Sequence, residues 1–235
     1  MWDFDTECSE VLRRTPTIKS FRFSIRAKNV RFRAGQFFYM DILVAGEKAR
    51  HHFSFSNSPA ERGYLEFTKR ITASAYSQAL DALKPGDWAH LSGPEGEFTL
   101  SRKWKKLAFL SGGIGITPLR SMMRYSLDKG LDYDIVLLYG NSSYEEIAFR
   151  EELEAMERAT PRLRVVHVLI APPPGWRGKV GRIDSALMAE VIPDYRERLF
   201  YISGPPRMVM SLEDQLLALG LPQEQVKRDS FIGYE

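Results

Sequence analysis

"FLSGGIGITPLR", residues 109–120, drives an apolar run into three glycines, a threonine and a proline. A buried strand that feeds a helix through glycines lets backbone amides approach a ligand with no Cβ in the way. The first turn of such a helix leaves N–H groups without intrahelical partners, at the positive end of the helix dipole. The stretch therefore reads as a strand, an anion seat and a helix. Thr117 reads as the N-cap, and Pro118 falls where a helix tolerates proline. Leu119, Met122, Met123 and Leu127 continue an apolar stripe at helical spacing, closed by Gly130. The usual dinucleotide fingerprint, G-x-G-x-x-G, would run through Gly113 and Gly115 to a third glycine at 118, where this chain has proline. Read alone, the turn serves equally as a phosphate seat or as a tight strand-to-helix connection.

Downstream of this stretch the chain alternates strand and helix. "LAFLS", "DIVLLYG", "LRVVHVLI" and "LFYISG" read as strands, and "DIVLLY" is nearly continuously apolar, as in a parallel sheet covered on both faces. Between them lie helical segments, and "PRMVMSLEDQLLALG" follows the last. Such alternation predicts right-handed β-α-β units, a doubly wound sheet, and ligands at the carboxyl ends of its strands. The opening turn lies there, and so does a second glycine turn, "SGPP" (203–206). Upstream the rhythm differs. "IKSFRFSIRA", "GQFFYMDILV", "HHFSFSNS", "YLEFTKRIT" and "DWAHLSGPEGEF" are short runs rich in aromatic and β-branched residues, broken by Gly, Pro, Asn and Ser. They predict an antiparallel barrel or sandwich with one short helix at 77–84. The expected fold is thus an N-terminal antiparallel β-barrel (1–101), a linker (102–106) and a doubly wound parallel-sheet α/β nucleotide-binding domain (107–235).

Composition narrows the chemistry. The chain has 235 residues, 44% hydrophobic and 27% charged, ordinary for a soluble globular protein. Cys8 is the sole cysteine, which excludes an internal disulfide, a thiolate zinc site and an iron-sulfur cluster held by this chain. No run reaches membrane-spanning length and the start lacks a basic-then-apolar leader, so a cytoplasmic protein that does not enter a membrane is expected. The adjacent His51 and His52 point to opposite faces of a strand, which argues against a metal site. No G-x-S-x-G elbow supports a hydrolase. Residues 1–106 carry 18 Lys and Arg against 12 Asp and Glu, whereas residues 107–235 carry 15 against 18. The basic half reads either as a docking surface for an acidic partner or, in "SRKWKK" (101–106), as a solvated linker. The basic residues are dispersed and no nucleic-acid motif accompanies them, so nucleic acid is not expected.

Several motifs, in order along the chain, resemble the flavin-dependent ferredoxin-NADP reductase-like oxidoreductases. "HHFSFSNSP" resembles the family's flavin-binding strand R-x-[YF]-[ST], with Phe53 and Ser54 at the aromatic and hydroxyl positions. "FTKRITASAYS" resembles the next strand and turn, with Thr68 and Lys69 on the strand and Ser74 and Ser77 where the family binds the flavin diphosphate. "GPEGEF" resembles G-P-x-G-x-F. "GGIGITP" resembles the nicotinamide-domain G-G-x-G-x-T-P, which accounts for the proline. "YGNSSYEEIAFREEL" and "YISGPPRMV" resemble the later strand ends that border the nucleotide, and "DSFIGYE" resembles the F-x-G-Y segment that returns to the flavin.

The resemblance implies FAD in preference to FMN, with NADH or NADPH as hydride donor. It implies flavin contacts from Arg50, His51, Phe53, Ser54, Thr68, Lys69, Ser74, Ser77, Thr117, Phe231 and Tyr234. Nucleotide contacts are implied for Gly112, Gly113, Gly115, Thr117, Pro118, Gly140, Asn141, Ser203, Gly204 and Pro205. Ser54 and Ser203 are the expected catalytic residues, with Ser54 offering its hydroxyl near flavin N5, Phe53 as a flat wall against the ring, and Thr117 between the two ligands. The implied activity is hydride transfer from nicotinamide to flavin, then electron transfer to an acidic carrier such as ferredoxin, flavodoxin or an oxygenase component. A free-flavin reductase and a non-catalytic nucleotide-binding subunit are the alternatives.

Four positions depart from the family pattern. The motif arginine is His51, and alternation should turn Arg50 away unless a bulge restores it. The C-G-P motif is Ser203-Gly204-Pro205, without the thiol. Glu235 follows Tyr234 at the end of the chain. Ser142 replaces an arginine common in relatives; a 2′-phosphate wants a cationic fork, so NADH is favoured, with Arg150 or Arg182 as compensating candidates.

Overall fold

The computed structural model describes residues 1–25 and 30–231. Six antiparallel strands make up the first half: β1 (Trp2–Arg13), β2 (Ile18–Ser24), β3 (Phe37–Val44), β4 (Glu47–Ser54), β5 (Tyr64–Arg70) and β6 (Trp88–Glu95), with α1 (Ala75–Asp81) before the last. Their order is β4-β3-β6-β1-β2-β5. Beyond β4 the chain reaches across to the far edge strand, where Ser56 N–H donates to the Glu66 carbonyl at 2.8 Å. The interior is aromatic. Phe21, Phe23, Phe38, Phe55 and Phe67 are all fully buried, and removing each such ring from water contributes on the order of 1.5–3 kcal/mol. The β3–β4 register runs without a break from Phe37↔Ser54 to Val44↔Glu47.

Ser101–Lys105 connects the halves, and Lys106 already opens β7. The second half is a parallel sheet of β7 (Lys106–Gly112), β8 (Asp134–Ser143), β9 (Leu163–Ala171), β10 (Lys179–Val180), β11 (Leu199–Gly204) and β12 (Val226–Ser230), in the order β10-β9-β8-β7-β11-β12. Helices α2 (Ile116–Asp128), α3 (Arg150–Ala159), α4 (Ser185–Val191) and α5 (Pro206–Ala218) cover its two faces. The expected architecture, an antiparallel barrel-like sheet followed by a doubly wound α/β domain, is what the chain forms.

Local details differ from expectation. Trp2–Arg13 is a twelve-residue strand at the centre of the first sheet, although its charged alternate positions conceal it. Helix α1 starts at Ala75 with Ser74 as its cap, two residues before the predicted start. Thr117 is not an N-cap: a 3₁₀ turn, Gly113–Gly115, precedes α2, so Thr117 lies inside the helix and donates to the Ile114 carbonyl at 3.3 Å. The "SRKWKK" segment is no free charge run, because Lys105 pairs with Asp132 at 2.5 Å and Lys106 with Glu197 at 2.7 Å.

Three polar clusters weld the halves together. Arg120 on α2, only 3% exposed, pairs with Glu61 of the barrel at 2.8 Å and with Glu152 of α3, and donates to the Ser56 carbonyl. Ser121 donates to the Asn57 carbonyl at 2.7 Å. Arg70, at the end of β5, meets Glu146 in the 3₁₀ turn after β8.

Candidate active site

The glycine turn is shaped by its neighbours. Gly113 adopts φ +51, the left-handed region that favours glycine. Tyr139 of β8 is fully buried and donates its hydroxyl to the Gly113 carbonyl at 3.0 Å, propping the turn from below. Gly115 has ordinary helical angles, but a Cβ there would strike the Ser203 carbonyl oxygen, so it is the close approach of β11 that demands glycine. Proline at 118 meets no such strand and is tolerated in the first turn of α2.

Around this turn, at the carboxyl ends of β7, β8 and β11, lies a cavity of about 560 Å³. Its wall includes Gly112, Gly113, Gly140, Asn141 and Pro205, all expected there, together with Arg70, Arg182 and Arg207. Three arginines and no carboxylate line it among the described residues, so it favours an anionic ligand. Gly115, Pro118 and Ser203 sit behind the wall as packing. Thr117 borders the flavin-side cavity instead.

That second cavity is narrow, about 60 Å³, and is lined by Phe37, His52, Phe53, Ser54, Thr68, Ile114, Thr117, Asp229 and Phe231. Ile114 and Phe231 border both cavities, which makes this the junction between them. Phe231 is held there by its own N–H, which donates to the Gly204 carbonyl at 3.1 Å. Tyr234 lies outside the described residues.

Parallel pairing aligns Asp229, Ser203, Ser111, Tyr139 and His167 in one row across five strands. The hydroxyls of Ser203 and Ser111 are buried without a hydrogen-bond partner, an uncommon state beside a ligand cavity. Asp229 and Ser54 line this cleft together. Burial outweighs the opposing pull of the Ser54 hydroxyl and raises the Asp229 carboxyl from the usual carboxylate range to about 6.

Other expected flavin residues fall into two groups. His51 lies against Tyr76 with ring centroids 4.1 Å apart, and Lys69 is buried on the same side of the barrel. Burial lowers both, the Lys69 ammonium to about 8. Thr68 exchanges hydrogen bonds with Ser56 at 3.0 Å and Ser20 at 2.7 Å. Ser74 caps α1 by accepting from Ser77 N–H, and the Ser77 hydroxyl accepts from Thr72 N–H, so both serve the turn. Arg50 is not brought to the site. It pairs with Asp41 at 2.8 Å, and the unbroken β3–β4 register has no bulge to turn it back. Phe53 stacks on Phe67, 4.1 Å between centroids, and also lines the cleft. Phe37, on the cleft face of β3, is the aromatic that sequence reasoning missed.

The residues suit the cofactors that the motifs imply. A charge-selective cavity beside a glycine turn fits a dinucleotide, and a narrow cleft lined by aromatics, hydroxyls and a carboxyl has the chemistry that borders one edge of an isoalloxazine ring. Comparison with known proteins agrees. Residues 8–100 match the oxidoreductase FAD-binding domain, and residues 109–214 match the oxidoreductase NAD-binding domain. A nitrate reductase [NADPH] of Fusarium oxysporum is 35% identical over 187 residues, covering 70% of this chain and 20% of the relative. The glycine betaine monooxygenase reductase subunit of Pseudomonas aeruginosa is 27% identical, covering 95% of this chain and 63% of that one. The chain thus spans less than two thirds of the length of either relative. In fold it superposes on the cytochrome b5 reductase domain of Ulva prolifera nitrate reductase with a TM-score of 0.86 at 23% identity, covering 97% of both chains. With both cofactor domains matched in sequence and their fold formed, this chain belongs to the ferredoxin reductase-like flavoprotein oxidoreductases.

Proposed function

We propose that this chain is an NAD(P)H-dependent flavin reductase module that passes electrons from a reduced nicotinamide, through bound FAD, to a separate protein acceptor. The observation that carries the reading is the shared wall of the two cavities: Ile114 and Phe231 border both, so a ligand in each is brought edge to edge. When bound, FAD supplies the ability to accept a hydride and release electrons singly.

The chain's own residues do the rest. The Gly112–Gly113 turn and Arg70 hold the dinucleotide's diphosphate at the end of the sheet. Ser142 borders the same cavity without a charge for a 2′-phosphate, which favours NADH, and Arg182 and Arg207 make NADPH the comparison to run. Ser54 presents a hydroxyl to the cleft, and Asp229 sets how that hydroxyl points: with the carboxylate ionised, Ser54 donates to it; with a proton on the carboxyl, Ser54 can accept and turn its own hydrogen into the cleft. Phe37, Phe231 and Ile114 keep the meeting point apolar and exclude water. Lys69 supplies positive charge for the flavin diphosphate in place of the family arginine, and His51, whose charged form burial disfavours, offers a neutral ring N–H beside it.

The acceptor in this reading is a protein carrier such as a ferredoxin, a flavodoxin or an oxygenase component, supported by the monooxygenase reductase relative and by the positive surplus of residues 1–106. The structure reduces that surplus locally, since Arg14, Lys19, Arg22, Arg50 and Arg70 each meet a carboxylate. Anaerobic mixing of the FAD-loaded protein with NADH and an acidic [2Fe–2S] carrier tests it. Carrier reduction that weakens steeply with salt supports the reading; rapid reduction of free flavin with no carrier reduced would make the protein a free-flavin reductase.

A further inference from the structure

Arg70 is the one barrel arginine in the wall of the 560 Å³ cavity, and its two ends face different surroundings. Nη1 donates to Thr17 Oγ1 at 2.6 Å and to a Glu146 carboxylate oxygen. Thr17 in turn donates to Glu146, with Oγ1 2.9 and 3.1 Å from its two oxygens, which closes a ring of three side chains. Nη2 lies on the other side, 3.8 Å from where a Cβ on Gly113 would stand, over the glycine turn. The cavity wall includes Arg70 but neither Thr17 nor Glu146.

Two of these residues come from the barrel, Thr17 in the turn before β2 and Arg70 at the end of β5. Glu146 comes from the second domain, in the 3₁₀ turn six residues after Gly140 of the cavity wall. An arginine on a flexible stem carries much rotamer entropy, and a guanidinium already gripped at Nη1 has lost much of it before a ligand arrives. The carboxylate does not compete for Nη2, because it grips Nη1.

We infer that Glu146, assisted by Thr17, is a positioning residue for nucleotide binding: it holds Arg70 across the domain junction so that the free edge of the guanidinium meets the diphosphate of the nicotinamide nucleotide. The inference rests on the proposed role of Arg70 toward that diphosphate. It assigns affinity for the dinucleotide to a contact between the domains, so any change that parts them at this point loosens the nucleotide too.

The test is NAD⁺ titration of the FAD-loaded protein, read by calorimetry, with FAD content and unfolding temperature measured alongside. Glu146→Gln is expected to weaken NAD⁺ three- to tenfold, raise KM for NADH by a similar factor and leave kcat unchanged. Thr17→Val, a gentler change, is expected to act in the same direction by less. In an Arg70→Met background, Glu146→Gln should have no further effect on NAD⁺. Tighter or unchanged NAD⁺ binding in Glu146→Gln overturns the inference, as does an equal loss with Arg70 absent. If Arg70→Met itself leaves NAD⁺ affinity unchanged, it is the assignment of Arg70 to the diphosphate that fails. That result is distinguishable from the others.

Discussion

Ser54, the last residue of a barrel strand, is brought beside Asp229 on the last strand of the parallel sheet. The pair stands in the narrow cleft beside Thr117 and Phe231, and it joins the flavin half of the molecule to the nicotinamide half.

Asp229 gives this cleft a titration near neutrality. Burial raises its carboxyl to about 6, whereas an unfolded aspartate titrates near 4. The folded form therefore holds its proton to higher pH. Its contribution to stability is present below about pH 4 and is lost as pH rises through 6. Single-turnover flavin reduction by NADH should vary with a midpoint near pH 6 and be faster on the acid side, where Ser54 is released to the cleft. Asp229→Asn should flatten both this profile and the pH-dependent loss of stability. A midpoint that survives the substitution assigns the titration elsewhere.

Gly115→Ala probes the close approach of α2 and β11. The added Cβ would strike the Ser203 carbonyl, a backbone atom that cannot swing away. Overpacking of this kind costs about 1–3 kcal/mol. Denaturant unfolding should show that loss together with weaker NAD⁺ binding, because the turn above must shift. An unchanged midpoint would mean that the strand yields freely.

Arg120→Met should be among the most damaging single changes. It leaves the Glu61 and Glu152 carboxylates without their shared cation, and breaking a buried pair from one side typically costs about 3–5 kcal/mol. Burial alone would raise the Glu61 carboxyl, but Arg120 prevails and holds it below its usual value. Stability from this group is therefore present above the ordinary glutamate range and lost as pH falls through the depressed value. Urea midpoints measured between pH 7 and 3 should show the wild type losing this advantage in acid and the variant lacking it throughout.

Ser203→Cys replaces a hydroxyl that is buried without a partner. A thiol is less costly to leave unpaired, so stability should hold or rise by about 1 kcal/mol. Because Ser203 lies behind the cavity wall, the rate of flavin reduction and the NAD⁺ affinity should both stay within about twofold, which stopped-flow absorbance and calorimetry would check.

How much of this was legible in the sequence depended on whether a signal was local. The glycine turn, its proline, and the strands flanking it are contiguous patterns, and Phe231 belongs to a short terminal motif that could be read the same way. β1 was missed although Trp2, Phe4 and Cys8 alternate, because Asp3, Asp5 and Glu7 between them read as a polar start. Asp229 looked like an ordinary acid in "KRDSF"; only the parallel pairing of Val226–Ser230 with β11 sets it beside Ser203. Phe53 could be read from a motif by position, whereas Phe37, which lines the same cleft from the neighbouring strand, lies outside any motif. Arg70 was passed over because its partners Thr17 and Glu146 are 53 and 76 residues away.

The central claim is that a reduced nicotinamide and FAD meet at the Ile114–Phe231 junction. Its most direct test is an anaerobic spectrum of the FAD-loaded protein as NADH is added in substoichiometric steps. One equivalent of NADH should bleach the flavin absorbance near 450 nm completely, and Phe231→Asp, which charges the shared wall, should slow that bleaching by at least tenfold while FAD stays bound. A yellow protein that NADH leaves unbleached, or a protein that takes up no flavin, would contradict the account.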